Sequence, residues 1–205
     1  MRSGFNTFTF ALMPIAIVIN IAIGQLMVIL KLPLYLDSVG TIMVGVLAGP
    51  IAGGVTGLLS HIIWSLLFDR MVIWFAPVAL VVGVLAGIFG ARSWLRKRKL
   101  PTLVVLGGFL TGIVAALIRA GSYVLGGITE SSTNVLLPIF QNLTDNIIIA
   151  NLLQGMLFDP LDKIISYLVV YFIFSRLTRR LLVRFPQGSS TARGRRKPLI
   201  GYVDD

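Results

Sequence analysis

Long apolar runs, separated by short polar or proline-containing segments, dominate the chain. A helix needs about 20 apolar residues to cross the hydrocarbon core of a bilayer, and most of the runs are close to that length. We therefore predict an all-α polytopic membrane protein, in which residues 1–183 form a single bundle of six transmembrane helices. The predicted spans are residues 8–30, 38–49, 51–68, 72–91, 101–125 and 160–175.

Three segments depart from this simple pattern. The second helix, 38–49, is too short to cross a full bilayer unless it continues past Gly49. Residues 127–159 are partly apolar but contain several Asn, Gln and Asp residues, which predicts an outer loop or a re-entrant segment. Residues 184–205 are basic and rich in Gly and Ser, which predicts a disordered cytoplasmic tail.

Composition and charge agree with a membrane protein. Only 13% of the 205 residues are charged, whereas a soluble domain carries about 25%. The net charge of +10 raises nucleic acid as an alternative partner. Most basic residues, however, lie at Arg2, within 92–99 and within 176–197, which six spans place on one side. Because Lys and Arg favour the cytoplasmic side, we predict cytoplasmic termini, a location in the plasma membrane and no nucleic-acid partner.

The residue types argue against an enzyme. The chain has no Cys and a single His, so a thiolate nucleophile and a metal site with several His or Cys ligands are excluded. The sequence contains no phosphate-binding loop of the form G-x-x-x-x-G-K-[ST], no G-x-S-x-G and no H-E-x-x-H. We therefore predict no catalytic residues, no metal and no covalently bound cofactor.

Glycine recurs every fourth residue across the second and third helices, at Gly45, Gly49, Gly53 and Gly57. In a helix this spacing places the glycines on one face, where another backbone can approach closely. Two interpretations remain open. The face either packs against another helix of the bundle or forms a smooth contact that slides or rotates.

Arg119 is the clearest candidate for a functional residue, because an ionisable side chain within a membrane span is costly. It lies about two turns from the outer end of the fifth span. Arg119 either binds an anionic or carbonyl-bearing ligand, or pairs with Asp145 or Asp162 as an internal brace.

Other polar and aromatic side chains concentrate toward the predicted outer half of the bundle. His61 either hydrogen-bonds to backbone or contacts a ligand, and Lys163 either pairs with a neighbouring acid or meets a substrate carboxylate. Aromatic rings at a pocket mouth would stack a flat heterocycle, and amides would bind a mixed donor and acceptor edge. The predicted substrate-binding residues are His61, Trp64, Arg119, Tyr123, Asn146, Asn151 and Lys163.

Residues 19–64 resemble the membrane-embedded S components of energy-coupling factor (ECF) transporters. The resemblance is carried by LPLYLDSVGT (32–41) and LAGPIAGGVTGLL (47–59). A second stretch, FDPLDKIISYLVVYFI (158–173), is similar to the start of the last helix of that family. These motifs point to the superfamily and not to one substrate.

The resemblance implies a six-helix protein of a bacterial plasma membrane that captures a vitamin or cofactor precursor from outside. It also implies docking with a transmembrane T component and two cytoplasmic ATPase subunits, which alone would use ATP. The family docks through a pair of alanines four residues apart on the first helix. The corresponding positions here are Ala16, Asn20 and Gly24, which we take as the predicted partner-docking residues. Two other classes remain as alternatives: a stand-alone secondary transporter and a membrane scaffold without transport activity.

Overall fold

The computed structural model describes residues 5–91, 100–126 and 136–188, and every regular element in these ranges is helical. The helices are α1 (Thr7–Ile29), α2 (Val39–Ala48), α3 (Pro50–Leu67), a 3-10 helix (Arg70–Phe75), α4 (Ala76–Ala91), α5 (Leu100–Gly126), α6 (Leu137–Thr144), α7 (Ile147–Arg176) and α8 (Arg179–Leu182). The all-α class predicted from the sequence is thus observed. The basic run 92–99, the segment 127–135 and the tail 189–205 lie outside the described residues.

Four helical segments are long and apolar enough to cross a membrane. They are Thr7–Ile29, Pro50–Leu67, Arg70–Ala91 and Val104–Leu125. This length and composition are consistent with a membrane-embedded protein, because only segments that satisfy their own backbone hydrogen bonds can span lipid. The six-span topology and the cytoplasmic location of both termini remain predictions.

The short second helix is enclosed by the rest of the bundle. Gly49 ends α2 with φ of 109°, a conformation that favours glycine, and Pro50 opens α3 directly afterwards. The 10 residues of α2 are all buried. At about 1.5 Å per residue, a helix of this length covers only about half of a bilayer. The chain turns at Gly49, so α3 runs back along α2 and is not a continuation of that helix.

The repeated glycines bring three helices into close contact. A Cβ atom added at Gly53 would lie 2.6 Å from both the Gly83 carbonyl oxygen and the Gly45 Cα. A Cβ at Gly57 would overlap the backbone of Ala79. The glycines at 45, 53 and 57 thus occupy packed contacts among α2, α3 and α4, which favours the packing interpretation of the repeat.

The last long helix begins earlier than the sequence pattern predicted. Pro160 does not open a span, because it lies inside α7, which starts at Ile147 and includes the second part of the predicted outer segment. The missing N–H of a proline removes one helical hydrogen bond, and its ring disfavours the preceding turn. Packing offsets this cost here, since Gly112 of α5 has no side chain and lets the backbone at Pro160 approach.

The described ends of the chain meet at one end of the bundle. The Asn6 side-chain amide donates to the Arg184 carbonyl oxygen at 2.7 Å. The Gln187 N–H donates to the Leu47 carbonyl oxygen at 2.8 Å, close to the turn at Gly49. The opposite end of the bundle carries the connection between α1 and α2, and the candidate site lies there.

Candidate ligand-binding site

A pocket of about 320 Å³ lies between α1, α3, the connection that follows α1 and the 3-10 helix; we call it the main pocket. Its wall is mostly apolar and aromatic, with a small number of polar groups, which is typical of small-molecule sites. The aromatic lining residues are Tyr35, Trp64, Phe68 and Phe75. The polar lining residues are Gln25, Asp37, His61 and Asp69.

A second cavity of about 20 Å³, the inner chamber, adjoins the main pocket. Both cavities are lined by Tyr35, Asp37, His61 and Phe75. The inner chamber is also lined by the charged residues Arg119, Asp159 and Lys163. A space of this size holds no more than about one water molecule. A ligand would therefore occupy the main pocket, with the charged residues behind it.

The connection between α1 and α2 is held in an unusual backbone conformation by α7. Leu36 has φ of 48°, in the left-handed region that a leucine rarely adopts. One carboxylate oxygen of Asp162, Oδ1, accepts the N–H groups of Tyr35 at 2.9 Å and Leu36 at 2.7 Å. These bonds fix the segment that carries Tyr35 and Asp37 into the pocket.

Lys163, next to Asp162 on α7, contacts the same connection between α1 and α2. Its Nζ lies 2.6 Å from Asp162 Oδ2, 3.0 Å from Ser38 Oγ and 3.5 Å from Asp37 Oδ1. The side chain is buried, and these three acceptors match the three protons of an ammonium group. Lys163 therefore acts as a brace between α7 and the start of α2.

Asp37 stands where the main pocket and the inner chamber meet. Its Oδ1 accepts a hydrogen bond from Ser38 Oγ at 2.8 Å, and its Oδ2 lies 3.5 Å from His61 Nε2. Burial raises the pKa of the Asp37 carboxyl group, but the charge of Lys163, the nearby imidazole of His61 and the hydrogen bond from Ser38 together lower that pKa by more. The net direction is below the ordinary value, so Asp37 is a carboxylate.

Arg119 forms a brace, but with a partner that the sequence did not indicate. Its Nη2 lies 3.2 Å from Asp159 Oδ2, and its Nη1 donates to the Tyr35 hydroxyl at 2.7 Å. The guanidinium carbon is also 5.9 Å from the centre of the Tyr35 ring. The internal pairing predicted with Asp145 or Asp162 is therefore corrected to Asp159.

The predicted substrate-binding residues divide into three groups. His61 and Trp64 line the main pocket, and Arg119 and Lys163 line only the inner chamber. The remaining three line neither cavity. Tyr123 is half-buried, Asn146 is exposed and caps α7, and Asn151 is buried on α7.

The predicted partner-docking residues lie inside the bundle. Ala16 and Asn20 have no exposed surface, and Gly24 lies directly under the Trp64 ring. The Asn20 amide donates to Thr41 at 2.8 Å and Ser60 at 3.0 Å. Its oxygen also accepts the Gly40 N–H at 2.7 Å, so Asn20 ties α1 to α2 and α3. A partner that docks on α1 would have to use other residues.

Sequence reasoning missed the acidic and aromatic residues at the centre of the site. Asp37, Asp159, Tyr35 and Phe75 are not among the predicted substrate-binding residues. The available signal was a Tyr and an Asp two and four residues after Pro33 in the LPLYLD segment. Among the described residues, no group of three His, Asp or Glu side chains is arranged to hold a metal ion.

Comparison of the chain with protein-family models, with curated proteins and with solved structures finds no match.

Proposed function

We propose that the chain is the substrate-capture subunit of an ECF-type importer. It would bind a vitamin or a related cofactor precursor from outside the cell and deliver it inward with a T component and two ATPase subunits. The observation that carries this proposal is the main pocket, where aromatic rings surround Asp37 and His61. Its volume of about 320 Å³ suits a small flat molecule.

The two stretches that resemble the ECF family meet at the inner chamber, directly behind this pocket. Tyr35 and Asp37 come from the first stretch, and Asp159 and Lys163 come from the second. Asp37 and Lys163 are 126 residues apart in sequence, yet Lys163 Nζ lies 3.5 Å from Asp37 Oδ1. Convergence of both stretches behind the pocket supports a role in ligand capture more than a role in packing alone.

The energy for transport would come from ATP hydrolysis by partner subunits. The chain contains no phosphate-binding loop, so the proposal assigns ATP hydrolysis to separate subunits. The test is uptake by proteoliposomes loaded with ATP, which contain the chain either alone or with the T component and ATPases. We expect the substrate to accumulate only with the partners present. Accumulation by the chain alone would overturn the importer assignment.

The buried charges favour one second candidate, a stand-alone secondary transporter. Two ion pairs, Arg119 with Asp159 and Lys163 with Asp162, are buried inside the bundle. Buried ionisable residues of this kind can form proton or ion pathways. An imposed proton or sodium gradient that drives uptake by the chain alone would support this candidate.

A further inference from the structure

The buried charged residues around the inner chamber do not balance. Two cations, Arg119 and Lys163, face three carboxylates, Asp37, Asp159 and Asp162, and all five side chains are buried. His61, the remaining titratable group in contact with Asp37, is neutral in its ordinary form. By formal charge, the carboxylates therefore outnumber the cations by one.

The distances and the pocket lining show which carboxylate a ligand could reach. Asp159 is paired with Arg119 at 3.2 Å, and Asp162 is paired with Lys163 at 2.6 Å. Asp37 is 3.5 Å from Lys163, which is longer than either of those pairs. Among the five charged residues, Asp37 is the one that lines the main pocket, so a ligand in that pocket meets its carboxylate first.

The wall of the main pocket also favours a positively charged ligand. Asp69 adds a second carboxylate to the lining, and no Lys or Arg is among the described residues that line the main pocket. Tyr35, Trp64 and Phe75 surround the same space. The face of an aromatic ring carries partial negative charge and attracts cations.

From this arrangement we propose that the main pocket selects a compact, flat cation whose positively charged nitrogen pairs with Asp37. Suitable groups are an amidinium, a protonated amine or a positively charged nitrogen heterocycle. The inference concerns the charge of the ligand, and it rests on the proposed capture function only for the statement that this ligand is transported. A ligand cation within hydrogen-bond distance of the Asp37 carboxylate would form a closer ion pair than the 3.5 Å contact with Lys163. An anionic ligand would add to the excess charge.

Three probes of nearly identical shape test this inference: benzamidine (positive), benzamide (neutral) and benzoate (negative). Binding to the purified full-length chain in detergent is measured from the rise in Tm across a concentration series. We expect benzamidine to bind at least about tenfold more tightly than benzamide, and benzoate to bind most weakly. One well-placed ion pair in a partly desolvated site supplies a difference of this size.

Variants then assign the preference to one side chain. In Asp37→Asn, which retains the size of the side chain, the preference for benzamidine over benzamide should fall to less than about threefold. The matched control is Asp145→Asn, because this carboxylate is exposed and lines neither cavity. Asp145→Asn should retain the preference.

Equal binding of the three probes, or tighter binding of benzoate, would overturn the inference. An unchanged preference in Asp37→Asn would overturn the assignment to that carboxylate. The outcome for the proposed importer function is independent of the outcome for the cation inference. If ATP-dependent uptake occurs but no probe binds, the cation inference alone fails; if benzamidine is preferred but uptake needs no ATPase, the importer proposal alone fails.

Discussion

Asp162 on α7 holds Leu36 in a left-handed backbone conformation. Its Oδ1 accepts the Leu36 N–H at 2.7 Å, at a residue whose φ is 48°. A strained non-glycine residue persists only where the surrounding structure enforces it. The hydrogen bonds from Asp162 supply that constraint, and in consequence Tyr35 and Asp37 on either side of Leu36 both line the pocket.

Loss of the negative charge at Asp162 should therefore destabilise the whole site. Asp162→Asn leaves the buried Lys163 ammonium without its closest carboxylate. Removal of one partner from a buried ion pair costs about 3–5 kcal/mol, so we expect a clear fall in Tm and weaker binding of benzamidine. Asp145→Asn is the matched control, because Asp145 is exposed and an Asn tolerates its φ of 50°. Equal Tm values for the two variants would contradict the structural role of Asp162.

Gly24→Ala should weaken ligand binding through Trp64. A Cβ atom at Gly24 would overlap the six-membered ring of Trp64, and the ring would have to move within the main pocket. We expect affinity for benzamidine, measured from the shift in Tm, to fall by about tenfold or more, because aromatic contacts contribute strongly to small-molecule sites. Gly121→Ala is the control, since nothing lies within 4 Å of a Cβ at that position.

Asn20→Ala should lower stability more than a typical hydrogen bond between membrane helices would suggest. Such bonds average about 0.6 kcal/mol, but the Asn20 side chain satisfies the buried Gly40 N–H and two hydroxyl groups. A buried group left without a partner costs about 1–3 kcal/mol. Asn142→Ala, at an exposed position, serves as the control. A Tm equal to that of the control would show that water or another group replaces the amide.

Paired substitutions at Arg119 and Asp159 separate the brace from a ligand contact. Arg119→Gln leaves Asp159 buried without its cation and should lower the free energy of unfolding by about 3–5 kcal/mol. The double variant Arg119→Gln/Asp159→Asn removes both charges and should recover much of that loss. Its Tm and its affinity for benzamidine are measured together. A recovered Tm with lost affinity would instead indicate that Arg119 contacts the ligand.

Local sequence features were sufficient to predict the first helices. The ends of α1, α2 and α3 lie within one residue of the predicted spans, because the apolar runs stop at polar residues and Gly49-Pro50 interrupts the chain. The predicted start of the last span at residue 160 is wrong because of a tertiary contact. Gly112, 48 residues earlier in the sequence, permits the close packing that allows α7 to continue through the proline.

The centre of the site depends on contacts between residues distant in sequence. His61 and Trp64 were identified because polar and aromatic groups stand out within an apolar helix. Asp37 was not identified, since its importance follows from Lys163, which is 126 residues away. The charge excess likewise depends on which acid pairs with which base, and composition does not contain that information.

Native mass spectrometry of the purified chain tests the central claim, capture of a small molecule in the main pocket, most directly. We predict one small molecule bound to the wild-type protein and to Gly121→Leu, and none bound to Gly24→Leu, where the side chain would displace Trp64. The claim would be contradicted if the wild-type protein carried no bound molecule and benzamidine did not change its Tm. Equal occupancy in the wild-type protein and in Gly24→Leu would also contradict it.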